Sequence, residues 1–219
     1  NRTVIVRVGV PVEQFWHRIP GGTGRATRET LRALGAEAGV ETRLVAAWHR
    51  PSRRHPAAVS GLGRPLFVPL PRPALYEAWL RLDRPRIERW TGPLDVVWAG
   101  AMVMASSRAP VVATVHDLGF LDNPERNSRR GRSFFPRAWA TVQERATLVV
   151  CPSAAVAAEC GRYGLEPERI RVVPWGVAPA TADRAAEDRV RLARNLPERF
   201  ALWVGTLEPR KNLPVLVEA

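Results

Sequence analysis

Short apolar runs alternate with longer helical stretches along most of this chain, and that alternation leaves few folds open. The runs Thr3–Val8, Arg43–Trp48, Pro65–Leu70, Leu94–Ala99, Pro110–Val115, Thr147–Cys151 and Arg169–Pro174 read as strands. Between them, Ala26–Ala38, Ala74–Trp90 (broken near Pro85), Arg137–Ala146 and Ala154–Tyr163 read as helices. Ser153 is placed to cap the last of these helices and Gly164 to stop it. Strands that take turns with helices in this way indicate an α/β fold, a Rossmann-like parallel sheet with helices on both faces. Ligands of such sheets sit outside the C-terminal ends of the strands.

The composition changes from Val177 to Pro197. This stretch is rich in Ala, Asp and Arg, with a polar helical part near Asp183–Leu196, and reads as a crossing between domains. The apolar run Phe200–Val204 then opens a new strand–turn–helix unit. Residues 1–177 are therefore expected to form one domain, 178–198 the crossing, and 199–219 the start of a second domain.

Candidate polar residues collect at the expected strand ends. Gly205-Thr206-Leu207-Glu208-Pro209-Arg210-Lys211-Asn212 reads as a glycine turn, two adjacent cations and a helix start. Asn212 can cap that helix and Pro214 fits its first turn. Free N–H groups and positive charge converge at such a place, which suits a phosphate; the plainer alternative is a solvated turn. Lys211 is the only lysine among 33 Lys and Arg residues. A lone ammonium among guanidiniums suggests a task in which the two are not interchangeable.

Gly21-Gly22-Thr23-Gly24 precedes the first expected helix. It is not a dinucleotide fingerprint, because the third glycine of that motif would fall at Thr27. It either lets backbone approach a sugar or phosphate or is an ordinary helix entry. His116-Asp117 ends a buried-looking strand. His116 there can hydrogen-bond a sugar hydroxyl or share a proton near neutral pH, with Asp117 orienting it; alternatively the pair caps a turn. His17, His49 and His55 stand in Arg-rich loops and read as solvated. Trp79 and Trp90 among Arg81, Arg84, Arg86 and Arg89 suggest either a membrane-facing helix or a domain helix with a solvated charged face.

Bulk properties bound the partners. A formal charge of +12 allows an anionic one: nucleic acid, a membrane surface or a phosphorylated small molecule. No nucleic-acid motif accompanies the charge, so none is expected as a partner. Cys151 and Cys160 form neither a disulfide framework nor a metal pattern, which points to a reduced, cytoplasmic setting. No Asp-x-Asp, zinc spacing or Gly-x-Ser-x-Gly elbow occurs.

Five blocks in order carry a resemblance: Gly21-Gly22-Thr23-Gly24-Arg25; Pro110 to Leu118 with His116-Asp117; Cys151-Pro152-Ser153; Tyr163 to Val177 with Trp175-Gly176; and Gly205 to Asn212. Together they make the chain resemble a family-four retaining glycosyltransferase of the GT-B type, with two Rossmann-like domains. The resemblance implies transfer of a hexose, with mannose a candidate, from a nucleotide-diphosphate sugar to a glycan or lipid-linked acceptor, with no cofactor. It places Arg210, Lys211 and Gly205 on the donor diphosphate, where the cations replace a metal. It places His116, with Asp117, beside the donor sugar, and Gly21, Gly22, Thr23 and Gly24 near the donor phosphates or the acceptor. Ser153 and Gly176 are expected nearby.

Two local departures stand out: Trp98 where relatives often carry His, and Thr206 where some carry Arg. The Glu-x₇-Glu element of the second domain is not present downstream, so the chain reads as truncated there and nearly inactive alone. A cytoplasmic enzyme, peripheral at the inner face of the membrane, is the expected setting. The rival reading is a stand-alone binding module for an anionic glycan or membrane surface.

Overall fold

A computed structural model of the chain describes residues 4–17, 19–51, 56–177, 183–205, 207 and 211–218. They fall into two compact units, Asn1–Pro174 and Trp175–Ala219. The first unit holds seven parallel strands: β1 (Val6–Pro11), β2 (Val40–Ala46), β3 (Leu66–Phe67), β4 (Val96–Ala99), β5 (Val111–Thr114), β6 (Leu148–Cys151) and β7 (Ile170–Val172). Their order across the sheet is β3-β2-β1-β4-β5-β6-β7. The order reverses between β1 and β4, where Val8 lies opposite Val96. In a doubly wound sheet that reversal opens a crevice at the C-terminal strand ends.

Among the described residues, six α-helices accompany this sheet: α1 (Gly21–Ala36), α2 (Arg72–Leu82), α3 (Glu88–Thr91), α4 (Gly119–Asp122), α5 (Arg129–Arg145) and α6 (Ala154–Arg162). The α/β fold with a parallel Rossmann-like sheet is thus as the alternation indicated. Consecutive strand residues point to opposite faces, and the core follows that rule. Leu44, Ala46 and Trp98 join Val8, Val10 and Leu31 of α1 in one apolar cluster. Val45, Val97 and Ala99 join Leu75 and Trp79 of α2 and Trp139 and Val142 of α5 in the other. Both sheet faces are therefore covered, and the strands read as continuous apolar runs. Gly9 turns its missing side chain toward the second cluster: a Cβ there would stand 2.5 Å from Leu94 Cδ1 and 3.1 Å from Ile87 Cδ1.

Several element bounds differ from the sequence reading, each for a local reason. β1 runs later than Thr3–Val8. Val4 and Ile5 are exposed, whereas Val8, Val10 and Val12 are buried, so burial selects the later segment. α1 begins at Gly21, so the four-residue glycine stretch is its first turn and not a loop ahead of it. α5 begins at Arg129 and not at the expected Arg137, because the Ser128 hydroxyl accepts the Gly131 N–H and caps the helix there. Helix Ala74–Trp90 is divided into α2 and α3. Asp83 takes a left-handed φ of 49° at the end of α2, and Pro85 follows.

The membrane-facing alternative for Trp79 and Trp90 loses its aromatic half. Trp79 is 1% exposed, with its indole N–H donated to the Pro85 carbonyl at 3.0 Å. Trp90 packs partly buried against the same core. Among the described residues no helix is long and apolar enough to cross a membrane.

The second unit contains α7 (Arg184–Ala193), capped by Asp183 accepting from the Ala186 N–H, and α8 (Leu213–Glu218). The strand expected over Phe200–Val204 is not formed. A strand exists only through a paired neighbour, and among the described residues none pairs with this run; Leu202 and Val204 are exposed.

Polar staples hold α2 to α5. Arg137 donates two bonds to the Glu77 carboxylate, at 2.8 and 2.9 Å, and Arg81 adds a third contact at 2.9 Å. Hydrogen bonds from Arg137 hold the Glu77 carboxyl down at about 2, against an ordinary 4.5. A depressed carboxylate stabilises the fold fully above 4.5, and that contribution fades as pH falls through about 2. The pair is over a third exposed, so solvent limits it to about 1 kcal/mol or less. Glu77→Gln is expected to lower unfolding stability by that amount at pH 7, with the difference vanishing in urea melts near pH 2.

Candidate functional site

The sheet reversal gathers four segments at the C-terminal ends of β1, β4 and β5. β1 leads into Glu13–Trp16, a single 3-10 turn; then comes α1. β4 ends at Ala99, followed by Gly100. β5 ends at Thr114, followed by Val115 and His116-Asp117.

A chain of hydrogen bonds joins these segments. His116 Nε2 lies 2.9 Å from the Gly100 carbonyl oxygen. A carbonyl only accepts, so this contact sets the proton on Nε2. The Thr27 hydroxyl, on α1, donates to the Thr23 carbonyl at 2.9 Å and lies 3.4 Å from the Gly100 carbonyl oxygen. Gln14 Nε2 donates to that hydroxyl at 3.0 Å. Gln14 and Thr27 are both buried. His116 is half-buried, and Asp117 is exposed and accepts from the Gly119 N–H at 3.3 Å. Asp117 thus starts the α4 turn.

The N-terminus of α1 is built for close approach. Pro20 precedes it, and no side chain caps it. Gly21 has φ of 63°, which a side chain would strain, and open space lies beyond both Gly21 and Gly22. The positive end of a sixteen-residue helix is therefore bare of side chains over Gly21 and Gly22. Gly24 is buried, and a Cβ there would meet Pro20 at 2.5 Å.

Beside β1 and β2 the same edge carries a second polar group. Glu13 is 2% exposed; it accepts the Ala47 N–H at 2.9 Å and contacts His49 Nε2 at 3.0 and 3.1 Å. Trp16 stacks on the His49 ring at 4.6 Å. His49 is thus a hydrogen-bond partner of Glu13 and not a solvated loop residue. His55 lies outside the described residues.

The remaining sequence candidates are placed as follows. Ser153 accepts the Val156 N–H at 3.3 Å and caps α6. Gly176, Gly205 and Lys211 are exposed residues of the second unit. Arg210 and Thr206 lie outside the described residues. Trp98, noted as a departure, is 9% exposed and donates its indole N–H to Thr114 Oγ1 at 3.0 Å. Gln14, Thr27 and Gly100 were not singled out from sequence; no local motif marks them, since what joins them is the approach of α1 to the residue after β4. Among the described residues no three His, Cys, Asp or Glu side chains gather in a metal-holding group.

Residues 20–181 match the family described as Glycosyltransferase Family 4. The chain belongs to glycosyltransferase family 4. The match spans the α1 glycines, His116-Asp117 and Ser153. Among curated proteins none matches. Three crystal structures of Anabaena Alr3699/HepE share the fold at 14% identity. The one in complex with UDP-glucose aligns with TM-score 0.64, covering 97% of this chain and 56% of that one. The complex with UDP and glucose gives 0.64, with 97% and 57% covered. The complex with UDP gives 0.60, with 98% and 57% covered. This family-four chain thus spans a little over half the length of the solved proteins it matches, and at that identity the likeness concerns the fold.

The contact between α1 and β4 can be tested directly. A Cβ on Gly100 would fall 2.6 Å from Thr27 Oγ1 and 3.0 Å from its methyl carbon. Gly100→Ala is expected to cost about 1–3 kcal/mol of stability by overpacking. Thr27→Ala in the same chain should return part of that loss, so a double-mutant cycle by chemical denaturation will be strongly non-additive. Additive effects would show that the two residues do not meet.

Proposed function

We propose that this chain supplies the acceptor-side domain and the beginning of the donor-binding domain of a retaining hexosyltransferase. The observation that carries the reading is the convergence of His116, Gly100 and the uncapped glycine turn of α1 at the sheet reversal, in a chain that belongs to glycosyltransferase family 4. Residues 1–177 form the first domain in this reading, 178–198 the crossing, and 199–219 the entry to the second.

The donor is a nucleotide-diphosphate hexose. HepE has been crystallised with UDP-glucose, so UDP-glucose is the first donor to test, with mannose donors beside it. The acceptor is a glycan or a lipid-linked saccharide. Departure of the nucleoside diphosphate builds negative charge, and fixed positive groups aimed at that charge lower the barrier. Lys211 and Arg210 have this role, with Gly205 allowing the turn. In this reading the α1 N-terminus, with Gly21, Gly22, Thr23 and Gly24, takes donor phosphates or acceptor hydroxyls.

His116, with its Nε2 proton committed to the Gly100 carbonyl, is held in one orientation. That fixed orientation lets it face the donor sugar without reorganising. Asp117 supports the turn that carries it. Ser153, which caps α6, and Gly176 are assigned to substrate binding in the same reading. Retention of configuration and a peripheral position of the enzyme at a membrane surface belong to the same proposal.

Three measurements bear on it. The 219-residue chain alone is expected to transfer sugar far more slowly than an enzyme with a whole donor-binding domain; equal rates would overturn the division of labour. In such an enzyme, His116→Ala or Lys211→Ala should lower kcat by about 10²–10³-fold, read by nucleotide release with each donor of a panel. Lys211→Arg separates charge from shape: unchanged turnover would mean that the choice of lysine carries no function.

A further inference from the structure

The opposite end of the sheet carries a feature the transfer reaction does not use. The connection from α2 to α3 (83–87) and the segment leading into β5 (106–110) lie at the N-terminal strand ends. They are fastened together: the Ser106 hydroxyl donates to the Asp83 carbonyl at 2.6 Å, and the Ile87 N–H donates to the Ser106 carbonyl at 3.0 Å. Between them is an open basin of about 450 Å³ lined by Arg84, Pro85, Arg86, Glu88, Arg89 and Arg108.

Its charge is unbalanced. Four guanidinium groups face one carboxylate, and that carboxylate is already engaged. Glu88 Oε1 accepts from the Ser107 hydroxyl and the Arg108 N–H, each at 2.6 Å, and from the Ala109 N–H at 3.4 Å. Burial pushes the Glu88 carboxyl up, but these bonds outweigh it and hold the group below its ordinary value. Among the described residues none of the four arginines makes an ion pair with a carboxylate. Arg86 Nε and Glu88 Oε2 are hidden beneath the surface, so what the basin presents to an occupant is its guanidinium groups.

That occupant has defined chemistry. It must offer anionic oxygens to forked guanidiniums, the geometry of a phosphate. The volume accommodates more than a single phosphate.

We propose that the basin of Arg84, Arg86, Arg89 and Arg108 binds a phosphate ester, remote from the transfer site. Two sources share that chemistry, a soluble sugar phosphate and a phospholipid headgroup.

Titration calorimetry with glucose 6-phosphate on the full chain is the test. Saturable binding is expected, weakened about tenfold or more by Arg86→Gln with Arg89→Gln, two charge-assisted contacts. Arg84→Gln with Arg108→Gln serves as a second, independent pair, with thermal melts showing that each variant folds. Lys211→Ala should leave the affinity unchanged, which separates this site from the donor clamp. Vesicles containing phosphatidylinositol provide the other arm. Co-sedimentation that the double variants lose assigns a lipid headgroup; sugar-phosphate binding without sedimentation assigns a soluble ligand. Absence of binding in both arms, retention of it by the double variants, or its loss in Lys211→Ala would each overturn the proposal.

Discussion

The arrangement at the sheet reversal depends on one close approach, that of α1 to the residue following β4. Gly100 has no side chain, and Thr27 fills the space a Cβ would need. This sets how near the helix lies to the strand ends, and the other contacts follow. The Thr27 hydroxyl reaches the Gly100 carbonyl, Gln14 reaches Thr27, and His116 reaches Gly100 from the other side. Because packed interiors resist displacement, one short contact can fix three polar side chains that come from distant parts of the chain. A larger residue at position 100 would move the glycine turn of α1 and the histidine relative to each other.

The fold was legible where it depends on local pattern and obscure where it depends on partners. Apolar runs identified all seven strands of the first unit, because a doubly covered parallel sheet buries whole runs. Ser153 and Gly164 were readable as helix punctuation for the same local reason, and the structure has them so, with Gly164 at φ 86°. Phe200–Val204 has an equally good strand pattern and forms no strand, since pairing is a property of two segments. The α1 start was misplaced because glycine in a first turn looks, in sequence, like the loop before it. His49 was misread because its partner, Glu13, is 36 residues away. His116 was legible as a candidate from its place at a strand end, whereas Gln14, Thr27 and Gly100 are ordinary residues whose importance exists only in three dimensions.

The charge of this chain shows why composition is a weak guide to partners. A formal +12 invites a search for a large anionic surface. Many of the arginines are spoken for within the fold. Arg137 is clamped on Glu77, and Arg145 pairs with Asp83 while donating to the Trp79 carbonyl at 3.0 Å. Arg169 bridges Glu166 and the carbonyls at the end of α5. These side chains act as multi-pronged hydrogen-bond donors to chain ends and loops, a role that planar guanidinium suits better than lysine. What remains to attract a ligand is a difference between places, not a total. It is greatest where several arginines line one space and the nearby carboxylate is already held by backbone N–H groups. An anion that enters such a space gains bonds without breaking any that stabilise the fold, whereas one that bound Arg137 or Arg169 would have to displace a carboxylate or uncap a helix. The ion-pair pattern, more than the net charge, therefore separates surface that is available for recognition from surface that the fold has already used.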